Sequence, residues 1–275
     1  LSRAATLPHP RRRFGQHFLH DRTVIERIVA ALALRSDDRV VEIGPGRGAL
    51  TALLAQSLRK MGAPTSLDVV EIDRDLAAHL GAEFADLPQF SVHQADVLRF
   101  DFTALAAARG GPSGPATLRI VGNLPYNIST PLLFHLLAHR PVVSDLHVML
   151  QKEVIDRIVA APGTREYGRL TVMLAPWLET ERLFDVGPGA FSPPPRVWSS
   201  VARLRVRSAA AFEVTPSFAK LVLAAFTQRR KTLRNALRAL VEPELFERVG
   251  IDPGARPDTL SPERYAALAR AVDGL

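Results

Sequence analysis

The chain has 275 residues, enough for one or two domains with a sizeable core, and a composition of 47% hydrophobic and 23% charged residues excludes a disordered chain. Lys+Arg 35 against Asp+Glu 28 gives a net charge of +7 and a pI ≈ 10.4, which points toward a polyanionic partner. Cysteine is absent, which excludes disulfides, thiolate metal sites and cysteine nucleophiles and suits a reducing, cytoplasmic setting; no stretch is long and apolar enough for a membrane span. Residues 1–13 carry Arg3, Arg11, Arg12 and Arg13 without an acid and read as a basic arm, either solvated or in contact with phosphate. Phe14-Gly15-Gln16-His17-Phe18-Leu19 follows. From about Asp21 the spacing of Val24, Ile25, Ile28, Val29 and Leu32 predicts a helix.

Arg39–Ile43 predicts a strand that ends in Gly44-Pro45-Gly46-Arg47-Gly48, with a helix starting at Ala49. A glycine turn between a strand and a helix lets backbone approach a ligand closely. The spacing is G-x-G-x-G rather than G-x-G-x-x-G, which disfavours a nicotinamide dehydrogenase. The next strand, Leu67–Asp73, brings Glu71 to its end, where a carboxylate can accept both hydroxyls of a ribose. A further strand, Phe90–Gln94, leads to Asp96, placed to meet an adenine edge. Each acid alone could be a helix cap. Their order after the glycine turn is similar to that in S-adenosylmethionine-dependent methyltransferases.

Beyond a flexible loop at Gly110–Pro115, an apolar strand end at Ile120-Val121 runs into Gly122-Asn123-Leu124-Pro125-Tyr126. Thr130-Pro131 reads as an N-cap and first-turn pair, with Leu132, Leu133, Leu136 and Leu137 at helical spacing behind it. Taken alone, the four residues from Asn123 suit an ordinary strand-to-helix loop. They also suit one chemical problem, since the exocyclic amine of adenine has its lone pair delocalised into the ring. The Asn123 side-chain oxygen and the Leu124 carbonyl could each accept one N–H and favour a pyramidal nitrogen. Pro125 would hold the turn and Tyr126 would offer a flat face to an unstacked base.

His135, His139 and His147 lack metal-ligand spacing, and no metal is expected. Leu146–Leu150 predicts a strand, with a helix through Ile155, Ile158 and Val159. Gly187–Arg196 is rigid and turn-rich, and Val201–Arg207 alternates apolar residues with Arg as an antiparallel edge with one basic face would. From Thr215-Pro216 the chain turns helical, ending in a basic face of Arg229, Arg230, Lys231, Arg234 and Arg238; a further helix starts at Ser261-Pro262. Residues 196–238 hold ten Lys or Arg against the single acid Glu213, which points to RNA contact. A domain boundary is expected near 208–214.

With these residues assembled, the chain resembles the ribosomal RNA adenine dimethyltransferase family from about Arg12 to the C-terminus. The resemblance rests on Phe14–Leu19, Val41–Gly46, Gly122–Pro131, Leu150–Val154, Tyr167–Leu170 and Phe191–Val197. It implies an α/β fold: a Rossmann-like, seven-strand class I methyltransferase sheet over 14–210 with a small helical, RNA-binding domain over 211–275. It implies S-adenosylmethionine as cofactor, with contacts falling on His17, Leu19, Gly44, Gly46, Glu71, Asp96 and Asn123. It places the catalytic residues at Asn123, Leu124, Pro125 and Tyr126, with Phe191 closing the other face of the base. The implied activity is N6,N6-dimethylation of two adjacent adenosines in the 3′-terminal hairpin loop of small-subunit rRNA, by a monomer acting on an immature subunit. Two departures stand out. Many relatives have Asn where this chain has His17, and their Lys-Val-Asp-Ser is here Arg196-Val197-Trp198-Ser199, which leaves open how the Phe191 loop is pinned. The alternatives are a large-subunit rRNA adenine methyltransferase and a non-catalytic ribosome assembly factor.

Overall fold

The computed structural model describes residues 16–61, 66–110, 114 and 116–275. The expected basic arm and Phe14-Gly15 lie outside the described residues, as do residues 111–113 and 115 of the Gly110–Pro115 loop. A first unit comprises the described residues through Lys152 together with Glu181–Val206. Its strands are β1 (Phe18–Leu19), β2 (Arg39–Ile43), β3 (Ser66–Glu71), β4 (Phe90–Gln94), β5 (Leu118–Asn123), β6 (Val143–Gln151), β7 (Leu178–Val186), β8 (Phe191–Ser192) and β9 (Ser199–Val206). The first five helices are α1 (Arg22–Leu32), α2 (Ala49–Met61), α3 (Arg74–Glu83), α4 (Phe102–Arg109) and α5 (Ser129–Ala138). β2 and β3 are near-continuous apolar runs because both their faces are buried: Val40, Val41, Ile43, Leu67, Val69 and Val70 are all inside.

The main sheet has the order β4-β3-β2-β5-β6-β9-β7. β4, β3, β2, β5 and β6 are parallel, and β9 runs antiparallel to β6. The chain steps outward from β2 to β4 and then returns to lay β5 on the other side of β2. The carboxyl ends of β2 and β5 thus form a topological switch point, where open α/β sheets bind ligands. Gly122 lets the two strand ends close up, because a Cβ there would fall 2.3 Å from the Ile43 carbonyl oxygen.

β9 is not the basic edge that alternation suggested. It lies inside the sheet with β7 beyond it, Arg203 is paired with Glu181, and the neighbouring Arg207 meets Glu179 at 2.9 Å. Glu179 and Glu181 recur with the strand period of two, so one face of β7 carries acids to meet arginines.

A second unit comprises Glu153–Thr180 with Arg207–Leu275. The single cut near 208–214, with domains of 14–210 and 211–275, is therefore replaced by a discontinuous division. The helices here are α6 (Lys152–Ile158), α7 (Arg169–Leu174), α8 (Phe218–Thr227), α9 (Leu233–Leu237), α10 (Pro243–Arg248) and α11 (Pro262–Val272). The reason for the division is apolar packing: Tyr167 and Val172 enter one core with Phe218, Val222, Phe246 and Leu268. The Tyr167 hydroxyl donates to the Leu260 carbonyl at 2.8 Å. The expected single basic helix face is also absent. α8 stops at Thr227, Arg229, Arg230 and Lys231 form the following turn, and Arg234 and Arg238 belong to α9 and its end.

Candidate active site

At the switch point a cavity of about 220 Å³ is lined by Gly44, Gly46, Glu71, Asp96, Asn123 and Tyr126, with further residues of the Asn123 loop and of the β3 and β4 ends. Its floor is the glycine turn. Gly46 adopts φ +58, and a Cβ there would fall 2.8 Å from the Phe18 ring, so only glycine keeps this backbone open and close to the space above. The Glu71 carboxylate, at the end of β3, accepts from the Gly46 N–H at 3.2 Å and the Asp73 N–H at 2.9 Å. Burial raises its pKa above the usual carboxylate value, and those two backbone bonds act in the opposite direction. Asp96 stands exposed at the rim, where one carboxylate oxygen also caps the Leu98 N–H at 3.0 Å. The helix-cap reading of that acid is thus met, and its position at the cavity rim leaves it open to a ligand. Below the turn, Glu42 is buried, accepts from the Thr51 hydroxyl at 2.7 Å, and has its pKa pushed up to about 8 by desolvation.

Asn123 is the last residue of β5. Its Nδ2 donates to the His17 carbonyl at 2.9 Å, which orients the amide and leaves Oδ1 buried without a hydrogen-bond partner among the described residues. A buried acceptor left unmatched is costly, and in a cavity wall it marks where a donor belongs. The Leu124 N–H donates to the Met149 carbonyl of the neighbouring strand at 3.1 Å, fixing the backbone beside it. Tyr126 opens a 3₁₀ turn rather than lying in an open loop, and α5 begins at Ser129, so Thr130 is not its cap. Ser129 Oγ instead donates back to the Tyr126 carbonyl at 3.0 Å. The Tyr126 ring stacks on the His17 imidazole at 5.9 Å and 25°. Its hydroxyl meets Ser199 Oγ at 2.5 Å, and burial raises the phenol pKa, which that bond partly offsets.

His17 and the Phe191 loop are pinned to each other. β1 pairs antiparallel with β8, Phe18 opposite Ser192 and Leu19 opposite Phe191. His17 Nδ1 donates to the Pro193 carbonyl at 2.8 Å, and the Lys152 N–H to the Trp198 carbonyl at 2.9 Å. These bonds hold the loop without the family's Asp. Phe191, expected to close over a base, does not line the cavity. It is 2% exposed and packs in the core with Leu19, Val186, Ala190 and Val201, because pairing with β1 turns its ring inward. Leu19 likewise contributes to the core, and it borders a smaller space of about 30 Å³ together with His17, Glu42, Gly44, Gly46 and Asn123.

Of the five basic residues, Arg230, Lys231, Arg234 and Arg238 are exposed. Arg229 is committed within the second unit, to Asp258 at 3.2 Å and to the Arg165 carbonyl at 2.7 Å. His135 and His139 serve local contacts, with the Phe100 carbonyl and the Thr103 hydroxyl. Sequence reasoning missed Ile72, which is 46% exposed at the cavity edge, together with Leu98, Glu42 and Ser199. An apolar residue directly after a strand-end acid was the available signal for Ile72.

The family model described as ribosomal RNA adenine dimethylase matches residues 9–273. The chain belongs to that family. It is 50% identical over 262 residues to the ribosomal RNA small subunit methyltransferase A of Alcanivorax borkumensis, covering 94% of this chain and 89% of that protein. It is 47% identical over 272 residues to the protein of the same name from Pseudomonas fluorescens, covering 96% and 93%. Among solved structures, the 23S rRNA methyltransferase ErmE is 28% identical with a TM-score of 0.69, over 93% of this chain and 99% of that one. A dimethyladenosine transferase from Plasmodium falciparum, at 23% identity and a TM-score of 0.77 over 92% and 96%, shares the fold. The Rossmann-like seven-strand sheet expected from the sequence is thus the family's own.

Proposed function

We propose that the chain transfers methyl groups from S-adenosylmethionine to N6 of two adjacent adenosines in the 3′-terminal hairpin loop of small-subunit rRNA, within an immature subunit in the cytoplasm. The observation that carries this reading is the buried, unmatched Oδ1 of Asn123 in a cavity wall beside an aromatic ring. The names of the relatives at 47–50% identity over nearly the whole chain support the small-subunit substrate over the large-subunit one of the 28% identical ErmE.

The residues present fit the methyl donor. The Gly44–Gly48 turn is a cradle that a Cβ at Gly46 would fill, and Glu71 offers a carboxylate suited to ribose hydroxyls. Asp96, Ile72 and Leu98 form a partly apolar rim for an adenine. When bound, S-adenosylmethionine supplies an electrophilic methyl group. Asn123 Oδ1 accepts one N–H of the target amine and the Leu124 carbonyl accepts the other, which localises the nitrogen lone pair. Tyr126 stacks against the base and sets its plane. Such positioning is worth roughly 7–11 kcal/mol of barrier. No general base is required, because the alkylated nitrogen is cationic and loses its proton readily. The test is incubation of immature small subunits with labelled S-adenosylmethionine, followed by nucleoside mass spectrometry. N6,N6-dimethyladenosine in small-subunit rRNA is expected; label in large-subunit rRNA alone would establish the rival substrate, and no label at all would leave only an assembly role.

A further inference from the structure

Trp198 stands where the family's sequence pattern has an acid, and its surroundings are those of a stacking surface. It is 56% exposed, the most exposed aromatic side chain among the exposed large hydrophobics. Tryptophan is enriched at interfaces, where one part of the ring is apolar contact and the other wet. The Trp198 ring is nevertheless held in place. A Cβ built on Gly187 would sit 3.7, 3.8 and 3.9 Å from Cη2, Cζ3 and Cζ2 of the indole. Three ring atoms at nearly equal van der Waals distances mean that a ring face, not an edge, lies against the Gly187 backbone. The residue as a whole remains 56% exposed. The Trp198 carbonyl accepts from the Lys152 N–H at 2.9 Å, which fixes the backbone as well.

Its place in the sheet gives it an occupant. Ser199, the next residue, opposes Gln151 at the carboxyl end of β6, and Asn123 opposes Met149 on the other side of the same strand. Trp198 therefore stands beyond the sheet edge that carries Asn123, two strand spacings or about 10 Å across the sheet and about three residues, roughly 10 Å, farther along the strand direction. Ser199 is also the residue that holds the Tyr126 hydroxyl. Arg196 is exposed two residues before Trp198 in the chain, and Lys152, whose N–H bonds the Trp198 carbonyl, has its ammonium 3.5 Å from Asp185. A flat ring beyond the sheet edge that carries Asn123, in a segment that also exposes Arg196, matches single-stranded RNA rather than an apolar protein surface.

We propose that Trp198 is a base-stacking subsite for a nucleotide flanking the target adenine. The subsite rests on the reading of the chain as an RNA methyltransferase. It supplies affinity and register for the RNA and takes no part in methyl transfer. Stacking of a base on an aromatic ring corresponds to a loss of roughly tenfold in RNA affinity when the ring is removed.

The test uses the full chain and an rRNA hairpin with an adenosine-containing loop, with 2-aminopurine replacing each loop nucleotide in turn. In the parent complex one position beside the target should be quenched by stacking. Trp198→Ala should restore its fluorescence and raise the KM for the hairpin about tenfold, with S-adenosylmethionine affinity unchanged as the check on folding. Trp198→Phe should recover most of the loss and Trp198→Leu should not. An unchanged hairpin KM in Trp198→Ala, or equal behaviour of the Phe and Leu variants, overturns the subsite. So does a change confined to sedimentation behaviour, which would make the indole a contact between copies of this chain. Methylation of immature subunits by the parent is measured alongside. Its absence overturns the functional reading, whereas intact methylation with an unchanged Trp198→Ala KM overturns the subsite alone.

Discussion

Asn123 contributes two different things to its surroundings, and substitution separates them. Nδ2 ties the β5 end to the His17 carbonyl, while Oδ1 lies buried without a partner among the described residues, on a residue that lines the cavity. Asn123→Ala should lower the single-turnover methylation rate by about 10²–10³, the usual effect of losing one preorganised polar contact to a transition state. Near-normal dimethylation would show that the loop is structural only. Tyr126 is a case where the structure adds what the sequence could not. A ring suited to stacking was legible from Asn-Leu-Pro-Tyr, but the 2.5 Å bond from its hydroxyl to Ser199 joins residues 73 positions apart and has no local signature. Tyr126→Phe and Ser199→Ala each break that one tether. Each should therefore reduce the rate by a similar, modest factor, and the double variant should be no worse than either. Fully additive losses in that cycle would mean the hydroxyls act separately. Tyr126→Ala should cost more, by about 1–3 kcal/mol of stacking. It should also accumulate N6-methyladenosine, because a monomethylated amine keeps only one N–H to hold it in place.

The elements were legible to the extent that burial imposes a pattern. β2, β3, β5 and β6 are covered on both faces, so their cores are apolar runs, and α1 carries its own cap at Asp21, which accepts from the Val24 N–H at 3.1 Å. β7 was not legible, since its exposed acids and half-buried residues break any apolar pattern, and without β7 the arginines of β9 looked like an open edge. The β1–β8 pair was illegible for another reason: two-residue strands far apart in the chain leave no period to read. That pair nevertheless decides where Phe191 points. Beneath the glycine turn, β2 carries a consequence of the same close packing. Glu42 ionises in the folded chain only near pH 8, against about 4.5 when unfolded. Because the folded pKa is the higher one, the unfolded chain gives up this proton first. The contribution of Glu42 to stability is full below about pH 4.5 and is lost as pH rises toward 8, with a slope approaching ~1.4 kcal/mol per pH unit between the two values. Glu42→Gln keeps an acceptor for Thr51 without a proton to lose. Urea unfolding at a series of pH values should show a flatter profile for that variant from pH 5 to 8, and parallel profiles would place the titrating group elsewhere.

At the scale of the whole molecule, charge is where sequence and structure differ most. The run of ten cations over 196–238 suggested one continuous basic face. Three of its members are matched in space by acids distant in sequence or on another strand: Arg203 by Glu181, Arg207 by Glu179 and Arg229 by Asp258. A linear count cannot see those partners, so it overstates the charge available to a polyanion. What remains in the second unit is Lys220 on α8 and an exposed set close together in the chain, Arg230, Lys231, Arg234 and Arg238, over one turn and one short helix. These two groups should behave differently toward rRNA. Each phosphate contact contributes about 0.7–0.9 to the slope of log affinity against log salt. Replacing the four exposed residues with Gln should flatten that slope by about 3, weaken rRNA binding most at low salt, and leave S-adenosylmethionine affinity unaltered. Arg229→Gln should instead lower the thermal midpoint, because it releases the Arg165 carbonyl and Asp258 together, and should change the salt slope by less than any one of the four. Filter binding across a salt series, with thermal unfolding of each variant, separates the two outcomes. If the quadruple variant keeps the parental slope, the exposed set is a solvated surface and the rRNA phosphates are held elsewhere. If Arg229→Gln matches the others in slope without loss of stability, its ion pair with Asp258 opens on binding, and the matched cations must then be counted with the free ones.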